Sequence, residues 1–352
     1  MGRAASAGRL AAAAAVGGGG LGLLGGSLYG VLVLQALLAR RAIGNAERPP
    51  PDPSGLYGAM LPGPPIRLAV LGDSAAAGYG ARVAQETFGA YLATGLSVLA
   101  RRPVRLRSLA AVGAQSTDLV EQIRHAMPHN PDVAAIIIGA NDVTHRIRPR
   151  VSLAALRVAV TTLRSAGGPP GSLRVSAPEV VVGTCPDLGT VRPLAPPLRQ
   201  VARRWSRRLA AAQTIACVES GGHSVSLGSL LGPDFDAAPR EMFGPDGFHP
   251  SPAGYRSCAT AMLPTVANAI GVLPGDGQEP EAFRGEGVFA LARAAVEAAE
   301  HSGTEVSEIG LAGPGRPAGR RRALLVRRRR HPIPAVGPVT SEQPGLLADA
   351  PA

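Results

Sequence analysis

A regular alternation of strand-type and helix-type segments between residues 66 and 270 limits this chain to few folds. Short apolar runs such as Ile66–Gly72, Val133–Gly139 and Glu179–Thr184 predict buried strands. Longer amphipathic segments lie between them and predict helices. Parallel strands need long crossover connections, which are usually helical, so the alternation indicates a parallel sheet covered on both faces.

The predicted strands are Ile66–Gly72, Val104–Ala111, Val133–Gly139, Glu179–Thr184 and His223–Leu231. The predicted helices are Glu86–Arg102, Ser116–Met127, Val151–Ser165, Pro197–Ala212 and Ser251–Ile270. We therefore expect an α/β fold of the doubly wound, flavodoxin-like kind, with a five-stranded parallel sheet of order 2-1-3-4-5 and helices on both faces.

The segments on either side of this region differ from it in composition. Residues 1–45 are apolar and rich in glycine, and residues 46–65 form a proline-rich linker before the predicted domain, residues 66–273. Residues 274–302 are expected to add one helix. Residues 303–352 are rich in Gly, Pro and Arg without periodicity, and we expect them to be disordered.

The N-terminal stretch has the character of a membrane segment. Its thirty residues from Leu10 to Ala39 carry no charge, and arginines flank them on both sides. Such a length can span a hydrocarbon core of about 30 Å. No A-x-A cleavage site follows, which favours an uncleaved signal-anchor over a removed signal peptide. We therefore expect a protein exported or anchored to the cell membrane, with its main domain extracytoplasmic.

The net charge of +11 suits binding to nucleic acid or to an anionic membrane. All 36 Lys/Arg positions are arginine, and eight of them lie between Arg316 and Arg330, in the predicted tail rather than on a folded face. Aromatic residues make up only 3% of the chain, too few for the base stacking that RNA recognition uses. No specific nucleic acid is therefore expected as a partner.

The three cysteines, Cys185, Cys217 and Cys258, show no CxxC spacing and no nearby histidine cluster, so the sequence predicts no zinc site. One disulfide with a free thiol and three buried free thiols both agree with their positions in apolar stretches.

Polar residues follow three predicted strands at the points where those strands end. Asp73 and Ser74 follow the first strand, Gly113 the second, and Asn141 and Asp142 the third. In a doubly wound sheet these ends meet at one crevice. Ser74 supplies a hydroxyl nucleophile, and the Ser74 N–H, the Gly113 N–H and the Asn141 amide supply donors for an oxyanion. Asp73 and Asp142 are expected to support these loops by hydrogen bonding.

A serine hydroxyl needs a base, and the segment before the last predicted helix offers one. Asp246 and His249 are three residues apart in a turn. The Asp246 carboxylate can accept the Nδ1–H of His249 and leave its Nε2 facing Ser74. The order Ser, Asp, His is that of α/β-hydrolases, although their G-x-S-x-G elbow does not occur here.

At these residues the sequence resembles the SGNH (GDSL-type) hydrolase family, and within it the exported actinobacterial members. The matching blocks are Gly72-Asp73-Ser74, Gly113, Gly139-Ala-Asn141-Asp142 and Asp246-Gly-Phe-His249. The resemblance covers residues 66–272. One departure is Ala75, which stands where leucine is common.

The resemblance implies a serine ester hydrolase, an esterase or lipase that works through an acyl-enzyme without metal or cofactor. Its triad would be Ser74, Asp246 and His249, with Ser74, Gly113 and Asn141 as the oxyanion hole. The expected partners are a small-molecule, lipid or acylated-glycan ester and the membrane, contacted through the N-terminal segment. A monomer is expected.

Three alternatives agree with the same sequence. An acyltransferase of this fold would pass the acyl group to an acceptor other than water, and a non-catalytic envelope protein would keep the fold as a binding module. An adaptor would use the arginine-rich tail to bind lipid or nucleic acid. The acyl chain length is left open, and the loops 143–150 and 166–176 are expected to shape the pocket.

Overall fold

In the computed structural model the described residues are 27, 29–43, 49–166, 176–228, 235, 238–272, 287–301, 303–308, 321–327 and 333–334. Most of the predicted membrane segment and most of the arginine-rich tail lie outside the described residues.

The strands are β1 Gly55–Tyr57, β2 Ile66–Gly72, β3 Val104–Ser108, β4 Val133–Ile137, β5 Glu179–Gly183, β6 His223–Val225, β7 Gly287–Ala290, β8 Thr304–Glu308 and β9 Arg322–Arg327. The helices are α1 (residues 29–43), α2 Ser74–Ala77, α3 Phe88–Ala100, α4 Leu119–Ala126, α5 Ala140–Thr144, α6 Pro149–Arg164, α7 Leu198–Glu219, α8 Pro239–Met242, α9 Pro252–Ala269 and α10 Leu291–Glu300. Short 3-10 segments lie at Ala84–Glu86, Ser116–Asp118, Met127–His129 and Leu188–Thr190.

The described strands form one mixed sheet of nine strands in the order β1-β3-β2-β4-β5-β6-β8-β9-β7. Neighbours from β3 to β6 pair in parallel, whereas β1/β3, β6/β8, β8/β9 and β9/β7 pair antiparallel. The predicted five-stranded parallel sheet of order 2-1-3-4-5 is therefore wrong. The additional strands are short, only partly buried or interrupted by charged residues, so they lack the continuous apolar run that identifies a buried strand.

These additional strands lie in segments predicted to have other structures. β1 belongs to the predicted linker, and β7 precedes α10 in the region expected to hold one helix. β8 and β9 belong to residues 303–352, so the prediction of disorder is wrong for these two segments. We refer to β7, α10, β8 and β9 together as the C-terminal unit.

The parallel centre of the sheet is buried on both faces because its side chains alternate between two cores. In β4, Val133, Ala135 and Ile137 pack with α3 and α9. Ala134 and Ile136 pack on the opposite face with α4, α6 and α7. This period of two places consecutive apolar residues in different cores, so β4 can consist of apolar residues alone.

The C-terminal unit has a smaller core of its own. Leu291, Ala294 and Ala298 of α10 are buried against Val306 of β8 and against Val218 near the end of α7. The unit therefore continues the sheet beyond β6 and covers one side of α7.

The helix α1 lies against the start of α7. The Gln35 side chain donates to the Pro196 carbonyl oxygen at 2.6 Å and accepts from the Leu198 N–H at 3.1 Å, and Ala39 is buried. Among the described residues, no helix combines the length and the apolar character that a bilayer crossing requires.

Candidate active site

Ser74 stands at the first turn of α2, directly after β2. The Asp73 carboxylate caps this turn by accepting the Ala75 N–H at 3.0 Å. Gly72 is required just before it, because a Cβ at this position would lie 1.8 Å from the Ile137 carbonyl oxygen and the backbone has a φ of +129°. The close approach of β2 and β4 thus sets the position of Ser74 at the edge of the sheet.

Asp246 and His249 lie in the connection between α8 and α9. The Asp246 Oδ1 accepts the backbone N–H groups of Phe248 at 2.9 Å and of His249 at 3.0 Å. Its Oδ2 lies 2.6 Å from His249 Nδ1, and His249 Nε2 lies 3.0 Å from Ser74 Oγ. The structure therefore brings the three predicted triad side chains into one hydrogen-bonded chain across 175 residues of sequence.

The lowered pKa of Asp246 suits a carboxylate that pairs with a histidine. Burial alone would raise the pKa of Asp246, but hydrogen bonds from the His249 side chain and from the Phe248 N–H outweigh it and hold this pKa below its ordinary value. The carboxylate is therefore ionised at neutral pH and favours the tautomer of His249 with its proton on Nδ1, which leaves Nε2 as an acceptor for Ser74.

Two tyrosines that the sequence analysis did not identify hold the imidazole in place. The Tyr79 ring meets the His249 ring edge-on, with centroids 4.6 Å apart. The hydroxyl of the buried Tyr255 donates to the Tyr79 carbonyl oxygen at 2.7 Å. Tyr255 could have been identified from the sequence, because it follows His249 by six residues in the same motif segment. Its partner, Tyr79, is distant in sequence.

The residues predicted to supply the oxyanion donors lie after the ends of their strands, as the sequence motifs predict. The Asn141 Nδ2 donates to the Ala114 carbonyl oxygen at 3.0 Å, which ties α5 to the loop that contains Gly113. A Cβ at Gly113 would meet no atom within 4 Å. Its φ of +81° is the reason that glycine suits this position.

The two supporting aspartates differ in their surroundings. The buried Asp142 accepts from the Ser116 N–H, from the Ser116 hydroxyl at 3.0 Å and from the Ser152 hydroxyl at 2.6 Å. Asp73 is also buried, but its Oδ2 has no hydrogen-bond partner among the described residues. Burial raises the pKa of Asp73 to about 6, against hydrogen bonding from the Ala75 N–H and attraction to His249.

Two buried glutamines, also missed from the sequence, fix the strand ends near the site. Gln122 of α4 donates to the Gly72 carbonyl oxygen at 2.9 Å and accepts the Gly72 N–H at 2.7 Å. Gln213 of α7 likewise donates to the Ile138 carbonyl oxygen at 3.0 Å and accepts the Cys185 N–H at 2.7 Å. Each glutamine pairs backbone groups that a strand end would otherwise leave unpaired.

A narrow cavity of about 40 Å³ opens beside Ser74 and His249. Apolar side chains form most of its wall, among them Ile137, Leu188, Val191, Leu227, Phe248 and Cys258. Neither Gly113 nor Asn141 lines it. The loop 143–150 does not line it either, contrary to expectation, and residues 167–175 of the second expected loop lie outside the described residues.

Possible metal-ligating side chains do not cluster in the part of the chain that the structure describes. No group of three or more His, Cys, Asp or Glu side chains there is placed to hold a metal ion. Cys185, Cys217 and Cys258 are separate, buried thiols.

Comparison with known proteins gives matches in both sequence and structure. Residues 70–257, just over half of the chain, match the sequence model described as the GDSL-like Lipase/Acylhydrolase family. A GDSL-like esterase of Mycobacterium tuberculosis is 36% identical over 274 residues, which cover 74% of this chain and 83% of that esterase.

The structural comparison also gives matches, at low sequence identity. A lipase from a goat rumen metagenome has a TM-score of 0.47 and 15% identity, and the match covers 59% of this chain and 99% of the lipase. An acetylxylan esterase of Geobacillus stearothermophilus, solved as a catalytic mutant, has a TM-score of 0.42 and 17% identity over 60% of this chain and 97% of the esterase.

Proposed function

This chain belongs to the GDSL-like lipase/acylhydrolase family and is a carboxylic-ester hydrolase, and we propose that it cleaves acyl esters through an acyl-enzyme on Ser74. The observation that carries this proposal is the hydrogen-bonded chain from Asp246 through His249 to Ser74. In this proposal Ser74 is the nucleophile, His249 the base and Asp246 the orienting carboxylate, and Ser74 and His249 line the apolar cavity.

In the acylation step, Ser74 Oγ attacks the acyl carbonyl carbon while its proton passes to His249 Nε2. Asp246 stabilises the imidazolium that forms, through the 2.6 Å contact with Nδ1. When the tetrahedral intermediate collapses, its C–O bond to the alcohol breaks. The alcohol oxygen takes the proton from Nε2, and the acyl group stays on Ser74.

Deacylation repeats these steps with water as the nucleophile. Water loses a proton to His249 Nε2 and attacks the acyl carbon, and the collapse of the second intermediate returns that proton to Ser74 Oγ and releases the acid. We assign the oxyanion to the N–H groups of Ser74 and Gly113 and to the Asn141 amide. The Asn141 amide is fixed by its bond to the Ala114 carbonyl oxygen and keeps a second N–H for the substrate.

The cavity favours a short acyl group. Its 40 Å³ exceeds the roughly 10–15 Å³ that one water needs by only a few fold. Its walls are buried apolar side chains, so a chain of two to about four carbons would fill it and leave a longer chain outside.

The function is tested by hydrolysis of p-nitrophenyl esters from C2 to C12, with Ser74→Ala and a matched control, Ser257→Ala. Ser257 lies in α9 and does not line the cavity. We expect the wild type to prefer C2 to C4, Ser74→Ala to lose at least about 10³-fold in kcat, and Ser257→Ala to keep its rate. Equal rates in wild type and Ser74→Ala would overturn the proposal.

For location, we propose that α1 lies on a membrane surface beside the domain. It exposes the large apolar side chains of Tyr29, Val31, Leu34, Leu37 and Leu38, each at least 44% accessible. Exposed apolar side chains on an amphipathic helix are typical of interfacial helices. Arg40 and Arg41 follow it in sequence and suit anionic headgroups.

Sedimentation of the full chain with anionic phospholipid vesicles tests this location. We expect Leu34→Glu/Leu37→Glu to reduce the vesicle-bound fraction strongly. Val158→Glu, which adds a charge at an equally exposed valine on α6, is expected to leave most of the binding intact. The same loss in both variants would contradict the proposal.

A further inference from the structure

The C-terminal unit reaches the wall of the candidate active-site cavity through one short turn. Residues 226–228 follow β6, and Leu227 in their middle is buried and lines the cavity. The Ser226 N–H donates to the Thr304 carbonyl oxygen at 2.9 Å, and the Gly303 N–H donates to the Ser226 carbonyl oxygen at 2.9 Å. β8 and the residue before it therefore fix the backbone on one side of Leu227.

The same turn is fixed on its other side by the loop that follows β5. The Leu227 N–H donates to Thr184 Oγ1 at 3.3 Å, and the Asp187 N–H donates to the Gly228 carbonyl oxygen at 2.7 Å. The segment after Asp187 supplies Leu188 and Val191 to the cavity wall. The turn thus connects the C-terminal unit to two parts of the wall.

The C-terminal unit is itself positioned by buried contacts. Val306 of β8 is fully buried in the core that β8 shares with α10 and β9. The next β8 residue towards the turn, Glu305, is buried and accepts from Thr265 of α9 at 3.0 Å. A Cβ at Gly228 would come within 3.3 Å of the Ala299 carbonyl oxygen, so α10 also lies close behind the turn.

We propose that the C-terminal unit is a positioning element that limits acyl chain length by holding Leu227 in the cavity wall. The proposal rests on the acyl-ester function assigned to this site. The unit lies wholly beyond residues 70–257, the part of the chain that matches the family. Its strands therefore act on selectivity through Leu227 and take no part in the bond-making steps.

Three variants of the full chain test this proposal. Leu227→Ala removes the wall itself, Val306→Ala loosens the C-terminal unit, and Val104→Ala is the matched control. Val104 is also fully buried in a strand, β3, but lies towards the other end of the sheet and does not line the cavity. The readout is the ratio of kcat/KM for p-nitrophenyl hexanoate to that for p-nitrophenyl acetate. Lower stability alone reduces both rates together and leaves this ratio unchanged.

We expect Leu227→Ala to raise the ratio by roughly tenfold, the discrimination that a small change in an apolar pocket provides. Val306→Ala should raise it in the same direction by a smaller factor, and Val104→Ala should leave it unchanged. Hydrogen exchange gives a second readout: the Ser226 and Gly303 amides should exchange faster in Val306→Ala than in Val104→Ala.

An unchanged ratio in Leu227→Ala, or the same ratio in Val306→Ala and Val104→Ala, would overturn the proposal. Unchanged exchange at Ser226 and Gly303 in Val306→Ala would also overturn it. A wild type that hydrolyses no ester would instead be a failure of the proposed function. Hydrogen exchange would then still decide whether β8 holds the turn.

Discussion

The parallel centre of the sheet and the C-terminal unit contribute different things to the candidate site. At the centre, β2 ends two residues before Ser74 and β4 ends four residues before Asn141, so the ends of these strands position the candidate site residues. The C-terminal unit reaches the site through backbone hydrogen bonds between Ser226 and the residues Gly303 and Thr304. The difference teaches that one sheet can position candidate site residues with its parallel strands and support a cavity wall with its antiparallel ones.

The polar interactions of the two regions differ in the same way. Near the centre, Gln122 and Gln213 are buried and each makes two hydrogen bonds to backbone groups. Beside the C-terminal unit, the partly buried Arg321, directly before β9, pairs with Glu308 of β8 at 3.2 Å, which is an ion pair between side chains and not a pair of bonds to backbone groups. We therefore expect substitutions at the centre to cost more than substitutions in the unit or at its junction.

The largest effect is expected for Asp246→Asn, which changes the proposed triad and leaves the C-terminal unit untouched. Asparagine cannot fix His249 in the tautomer with its proton on Nδ1, so kcat for p-nitrophenyl acetate should fall on the order of 10³- to 10⁴-fold. The free energy of unfolding, measured with urea, should change far less than the activation free energy of the reaction. Activity within tenfold of wild type would show that Asp246 does not orient the histidine.

The next effect concerns the buried carboxyl of Asp73. Its pKa rises on folding from 3.8 to about 6, so the folded state binds the proton more tightly and stability falls as the pH rises across this window. Asp73→Asn keeps a helix-capping side chain but removes this cost. The variant should gain free energy of unfolding over wild type as the pH rises from 4 to 7, by up to about 3 kcal/mol.

Urea unfolding of both proteins at pH 4 and pH 7 measures this gain. Asp142→Asn is the contrast, because Asp142 accepts from both Ser116 and Ser152 and the amide would lose an acceptor. We expect Asp142→Asn to lower the free energy of unfolding. A gain of Asp73→Asn that is equal at both pH values would contradict the assigned ionisation of Asp73.

A smaller effect is expected for Gln122→Met, which keeps the side-chain volume but leaves the Gly72 N–H unpaired. Burying one unsatisfied donor costs about 1 to 3 kcal/mol, and the free energy of unfolding should fall by that amount. Because Gly72 precedes Ser74 by two residues, kcat should fall as well. Unchanged stability would mean that Gly72 finds another partner.

The centre of the fold was predictable from sequence because its strands are buried on both faces. The run at β4 is apolar throughout and needs no partner to be recognised. β9 has two arginines at its ends and alternates between buried and partly exposed residues, so only its pairing with β7 and β8 identifies it as a strand. Such pairing is a long-range property that local patterns do not contain.

The residues of the candidate site also divide into those that the sequence could predict and those that it could not. Ser74, Asp246 and His249 lie in motifs whose order and spacing predicted a triad, and the structure joins their side chains by two hydrogen-bond contacts. The cavity wall could not be predicted, because Leu188 and Leu227 become neighbours of Ser74 only through tertiary packing. Nor does any local pattern pair Gln122 with Gly72, 50 residues away.

The smallest effect is expected at the junction between the two regions. Thr265→Val keeps the shape of the side chain and removes its hydrogen bond to Glu305, so α9 loses a polar link to β8. A hydrogen bond to a charged group contributes about 1.5 to 3 kcal/mol. Because Glu305 keeps other interactions, we expect a loss of about 1 kcal/mol in the free energy of unfolding.

Thr260→Val is the matched control in the same helix, since Thr260 donates only to the Arg256 carbonyl oxygen at an exposed position. Urea unfolding should separate the two variants, with Thr260→Val close to wild type. Hydrogen exchange should further show that Thr265→Val loosens the amides of β8 more than those of β4. Equal loosening of both strands would mean that the C-terminal unit and the parallel centre unfold as one unit, and the distinction between them would then be one of position and not of stability.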